Sequence, residues 1–138
     1  MKLLLNGKMS PITNEIGFLE TNCLSASNAF ANWQREVQKH RGVKINQIKV
    51  SGNLESALTR LLPLTSVERR RFLFLPTSSQ WTAFFDNGHQ GTDAFSPISF
   101  LAKEIGCRGV RVVAIPDTMD ITKKPNGDYG ALILEIYG

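Results

Sequence analysis

No uninterrupted apolar run in this chain exceeds four residues, the length reached at residues 72–75, 112–115 and 131–134. A membrane-spanning helix needs about 20, so a helical membrane protein is excluded. Cysteine is scarce: Cys23 and Cys107 stand far apart, without the C-x-x-C spacing of a zinc or redox pair. The two histidines, His40 and His89, are equally dispersed. Neither G-x-x-x-x-G-K-[ST] nor G-x-G-x-x-G occurs, so no loop is shaped to cradle phosphates, and no G-x-S-x-G elbow presents a nucleophilic serine. Asn-x-Ser/Thr acceptors are missing too. The opening Met1-Lys2-Leu3-Leu4-Leu5 gives way at once to Asn6-Gly7-Lys8, which leaves no apolar core for an export signal. Reduced thiols and a cytoplasmic location are therefore expected.

What is present is ordinary for one domain: 138 residues, 42% apolar and 20% charged. The 16 Lys and Arg against 12 Asp and Glu give a net charge of +4, spread along the chain and not gathered in a tail. Two basic clusters stand out, one around Lys39, His40, Arg41, Lys44 and Lys49, the other Arg69-Arg70-Arg71. Each reads first as a solvated helix end or strand edge, and second as a phosphate contact.

Residues 1–24 read as an N-terminal arm or hairpin with turn formers at Asn6-Gly7 and Ser10-Pro11. From Ser25 the pattern is helical, because Ala26, Ala29, Phe30, Trp33 and Val37 recur at spacings of three and four, with Gly42 as the cap. After a β-like piece over residues 44–50, Ser51-Gly52-Asn53 opens a second helix carrying the stripe Leu54, Ala57, Leu58, Leu61 and Leu62, ended by Pro63. Residues 71–75 predict a central strand covered on both faces, and residues 81–86 its partner, terminating at the turn signal Asn87-Gly88. Ser96-Pro97 starts a third helix with Ile98, Leu101, Ala102 and Ile105 on one face, and Gly106 stops it. Residues 108–115 and 129–137 read as the last two strands, separated by a polar excursion over residues 117–128. This order predicts an α+β fold: a mostly antiparallel sheet of four to five strands with a ββαββ core, two N-terminal helices and one inserted helix packed on it. The domain is placed at residues 25–138, whether the chain is whole or a piece of a longer one.

The richest polar constellation is Asp86-Asn87-Gly88-His89-Gln90-Gly91-Thr92-Asp93, which follows an aromatic strand. As a calcium loop it fails, since Gly88 and Pro97 occupy positions that must supply oxygens. His89 with Asp86 and Asp93 is a thin metal set, so no metal and no cofactor is expected. Ser78 or Ser79 with His89 and one of these acids composes a hydrolytic triad on paper. Cys107 is a poor nucleophile, because it follows a helix C-terminus whose negative end disfavours a thiolate. Arg69-Arg70-Arg71-Phe72-Leu73-Phe74 lacks the spacing of an RNA-binding stretch, which makes nucleic acid the less favoured partner.

Two readings follow. The first is a non-enzymatic protein-binding domain, of which a neutralising protein of the immunity type fits the size, although the basic charge argues against a basic nuclease as target. Its expected contact residues are Trp81, Phe85, Asp86, Asn87, His89 and Asp93, an aromatic rim around a polar loop. The alternative is a small-molecule-binding or hydrolytic domain using residues 86–93.

Overall fold

The computed structural model describes residues 3–66, 69–115 and 131–138. Among them five strands form one antiparallel sheet, β1 (Glu15–Leu19), β2 (Phe72–Pro76), β3 (Thr82–Asp86), β4 (Gly109–Ile115) and β5 (Ala131–Tyr137), in the order β2-β3-β1-β4-β5. Three helices accompany it: α1 (Cys23–Gln38), α2 (Leu54–Thr59) and α3 (Phe95–Ile105). The α+β class and the antiparallel sheet thus stand. The ββαββ core needs a correction, because β1 lies between the two hairpins, pairing with β3 on one side and β4 on the other. It comes from the stretch read as an arm or hairpin. The strand expected to be central, residues 71–75, is instead β2 at one edge of the sheet, because β1 takes the place beside β3. The β-like piece over residues 44–50 joins no sheet, and the polar excursion over residues 117–128 lies outside the described residues.

Asn22 and Asn53 start α1 and α2 by accepting from the Ser25 and Ser56 backbone N–H groups, each at 2.8 Å. The ring of Phe30 on α1 packs against Phe72, Phe74 and Phe84, with centroids 4.6, 5.5 and 6.1 Å away. Val37, expected on the same stripe, is exposed instead. The third helix begins at Phe95 without a side-chain cap from Ala94, two residues earlier than Ser96 as cap and Pro97 as first helical residue suggest. Gly106 closes it in the left-handed conformation, with φ of 78°. Gly17 lets α3 lie directly on β1, since a Cβ there would stand 2.5 Å from Cγ1 of Ile98.

Two apolar clusters sandwich the sheet. Phe30, Phe84, Ile98 and Leu101 lie on the α1 and α3 face, while Met9, Ile12, Leu58, Leu61, Leu73 and Phe85 lie on the α2 face. The second layer reaches Ile16 and Phe18 on β1 and stops there. Beyond it, Leu132, Leu134 and Ile136 of β5 pair with Ala114, Val112 and Val110, whose β1 neighbours are Ile16 and Phe18. Paired residues share a face, so this row belongs to the α2 side and has no layer over it among the described residues.

Candidate functional site

Each member of the expected contact set can now be placed. Phe85 is core, packed among Leu73, Ala83 and Leu58. Trp81 stands half-buried just before β3, with the Arg108 guanidinium 5.7 Å from its ring centroid. Asp86 ends that strand, so roughly 17 Å of chain separates the indole from the carboxylate. Trp81 and the polar loop therefore lie at opposite ends of β3, and Phe85, next to the loop, is turned into the core. Ser78 and Ser79 occupy the β2–β3 turn, at the end away from His89, so the triad on paper is not assembled.

Asp86 and Asn87 are only 1% and 0% exposed, and their side-chain polar atoms are occupied by the loop and by the chain leading into β2. Oδ1 of Asp86 accepts from the Gly88 N–H at 2.7 Å, and Oδ2 accepts from the Asp93 N–H at 3.1 Å. Thr92 Oγ1 accepts from the Asp86 N–H at 3.1 Å, and Arg70 approaches the carboxylate at 3.4 Å. Asn87 reaches the other way: its Oδ1 accepts from the Arg71 N–H at 2.8 Å, while its Nδ2 donates to the Pro63 and Arg69 carbonyls at 3.1 and 3.2 Å. The acid closes the loop, and the amide fastens it to the chain leading into β2. His89 and Asp93 are exposed, and Asp93 Oδ1 accepts from the Phe95 N–H at the start of α3.

Burial pushes the Asp86 carboxyl above its ordinary value of 3.8, outweighing the lowering influence of the Gly88 and Asp93 amides and of Arg70. A folded value above the unfolded one means the native state holds the proton longer. The contribution to stability is then complete below the unfolded value and declines as pH rises through the folded one. Wild-type stability relative to Asp86→Asn should fall with rising pH across that window in urea denaturation. A flat or rising difference would contradict the buried acid.

Cys23 and Cys107 are free and half-buried. Burial also pushes the Cys107 thiol up, the opposite of what a nucleophile needs. Among the described residues no group of three His, Cys, Asp or Glu side chains converges to hold a metal ion. Nor is any described helix long and apolar enough to cross a membrane. The triple arginine divides its labour: Arg70 lies 5.2 Å from the Phe72 ring centroid, and Arg71 donates to the Arg60 and Leu62 carbonyls.

Among the described residues, two surfaces stand out that the sequence pattern did not single out. A groove of about 430 Å³ runs between α1 and α3, where Trp33 stacks on Phe100 at 4.2 Å, with Glu36 and Glu104 along its walls. Glu36 is already paired with Lys39 at 2.7 Å. The other surface is β5, where Leu132, Leu134 and Ile136 are 72%, 64% and 69% exposed. Its opposite face is anchored. Glu135 pairs with Arg111 at 3.0 Å and accepts from the Tyr137 hydroxyl at 2.6 Å, and Arg111 also pairs with Glu15 at 3.1 Å. These contacts hold Glu135 below the usual carboxylate range, and burial with the Glu135 contact pushes Tyr137 up to about 12. Glu15 further accepts from the Ala94 N–H at the start of α3. The strand is thereby fixed to the sheet while its aliphatic row faces outward.

Compared with known proteins, the chain matches no family model, no curated sequence and no solved structure. The class defined by its own geometry is an α+β domain with a five-stranded antiparallel sheet, which the described residues cover on both faces except along β4 and β5.

Proposed function

We propose that this protein is a non-enzymatic protein-binding module whose contact surface is β5. The observation that carries the reading is the aliphatic row Leu132, Leu134 and Ile136, exposed together on a strand that ends the sheet. Single exposed leucines are common on any protein, but a contiguous row bordered by Val110 and Val112 of β4 is the kind of patch a partner covers. The enzymatic alternative drew on residues 86–93, whose acid and amide are engaged in holding the loop. A neutralising protein of the immunity type is the narrower form of this proposal, supported by chain size alone.

Leu134→Lys provides the test. Proteins cross-linked by the wild type should be captured at least ~10-fold less by this variant, with an unchanged circular dichroism melt, as expected for a central interface residue. Trp33→Ala, in the α1–α3 groove, should capture them as the wild type does. The reverse pattern, capture lost with Trp33 and kept without Leu134, would move the binding surface to the helices and overturn the proposal.

A further inference from the structure

Resting on that reading, we infer that the occupant of the β5 edge is β5 of a second copy, paired antiparallel across a two-fold axis at Leu134. The two ends of the sheet are built differently. The β2 edge is five residues long, ends on Pro76, which has no N–H to offer, and is led in by Arg69, Arg70 and Arg71. Short length, proline and a run of like charge are the usual guards against edge pairing. The β5 edge carries none of them. It runs for seven residues without proline, lysine or arginine, and its single charge, Glu135, is drawn onto the opposite face by Arg111. Its inner side is fully paired with β4 from Gly109↔Tyr137 to Ile115↔Ala131, and among the described residues its outer side meets no strand.

Self-pairing suits this sequence. With Leu134 on the axis, Leu134 faces its own copy, Leu132 faces Ile136 of the other chain, and Ile133 faces Glu135. No like charges meet, the aliphatic rows join on one face, and all seven residues overlap. An antiparallel ladder of that length forms about six to eight backbone hydrogen bonds. Cross-strand aliphatic neighbours then shield one another. The pairing also closes, because it consumes the open edge of each copy and leaves the two guarded β2 edges outermost. Assembly stops at two, as an isologous interface requires.

Sedimentation equilibrium of the purified chain over roughly 1 to 500 μM tests this. The wild type should dimerise, and Leu134→Lys, which sets two like charges opposite each other, should weaken the dimer by about tenfold or more. The double variant Leu132→Glu with Ile136→Lys should associate more tightly than either single variant, since the proposed register places those positions against each other. A wild type that stays monomeric, or a Leu134→Lys variant that dimerises equally well, would overturn the inference. If the monomeric wild type still captures other proteins through Leu134, the second copy is eliminated and the protein-binding proposal stands. If it captures none, both fall.

Discussion

Asn87→Ala is expected to destabilise the fold by about 3 kcal/mol, measured by urea denaturation. The side chain has no exposure, and its amide makes three hydrogen bonds, to the Arg71 N–H and to the carbonyls of Pro63 and Arg69. Each buried partner left without its bond costs about 1 kcal/mol net, and more where water cannot replace the amide. Asn87→Asp should be at least as damaging, because it turns an acceptor toward two carbonyls and buries a charge there. If Asn87→Ala were neutral, the loop would be held by something other than this amide. The segment over residues 86–93 would then again be open to a functional assignment.

Gly91→Ala is the second large effect, expected to cost about 3 kcal/mol or more. Gly91 has φ of +98°, a conformation that costs an ordinary residue about 1–3 kcal/mol. A Cβ there would also stand 2.2 Å from the Pro11 carbonyl oxygen and 2.7 Å from its carbon. These are backbone atoms, so relief requires moving the N-terminal segment and adds a packing cost of similar size. His89→Ala, two residues earlier and exposed, should fall within about 0.5 kcal/mol of the wild type. The contrast distinguishes a loop built around its glycine and amide from a loop built to present its histidine. A large loss at His89 with none at Gly91 would reverse that conclusion.

Much of the fold was legible because its signals are local. The three-and-four spacing of Ala26, Phe30 and Trp33, the stripe through Leu58, and Gly106 after Ile105 each mark a helix or its end through short-range geometry. The β2–β3 hairpin was legible for the same reason. Strand β1 was not, because Glu15-Ile16-Gly17-Phe18-Leu19 contains two residues that disfavour strands. Both are there for distant partners: Gly17 admits Ile98, and Glu15 holds Arg111 and the start of α3.

The candidate site was misleading in an instructive way. Asn87-Gly88 resembles a tight-turn signal, yet neither residue takes a positive φ, and the asparagine is there for its buried amide. A polar cluster looks the same in sequence whether it faces a ligand or its own backbone. The apolar run of β2 was equally ambiguous, since apolar residues on both faces ordinarily mean a central strand. Here they belong to an edge strand, as the run of β5 does at the other end, a fact that only the strand order reveals.

The most direct measurement is amide hydrogen exchange at low and high protein concentration. The Gly88 and Asp93 amides should be protected equally at both, the outward-facing β5 amides should slow as concentration rises, and β2 should stay unchanged. Exchange along β5 that ignores concentration, while the residue 86–93 amides slow on concentrating, would place association at the loop and contradict the account.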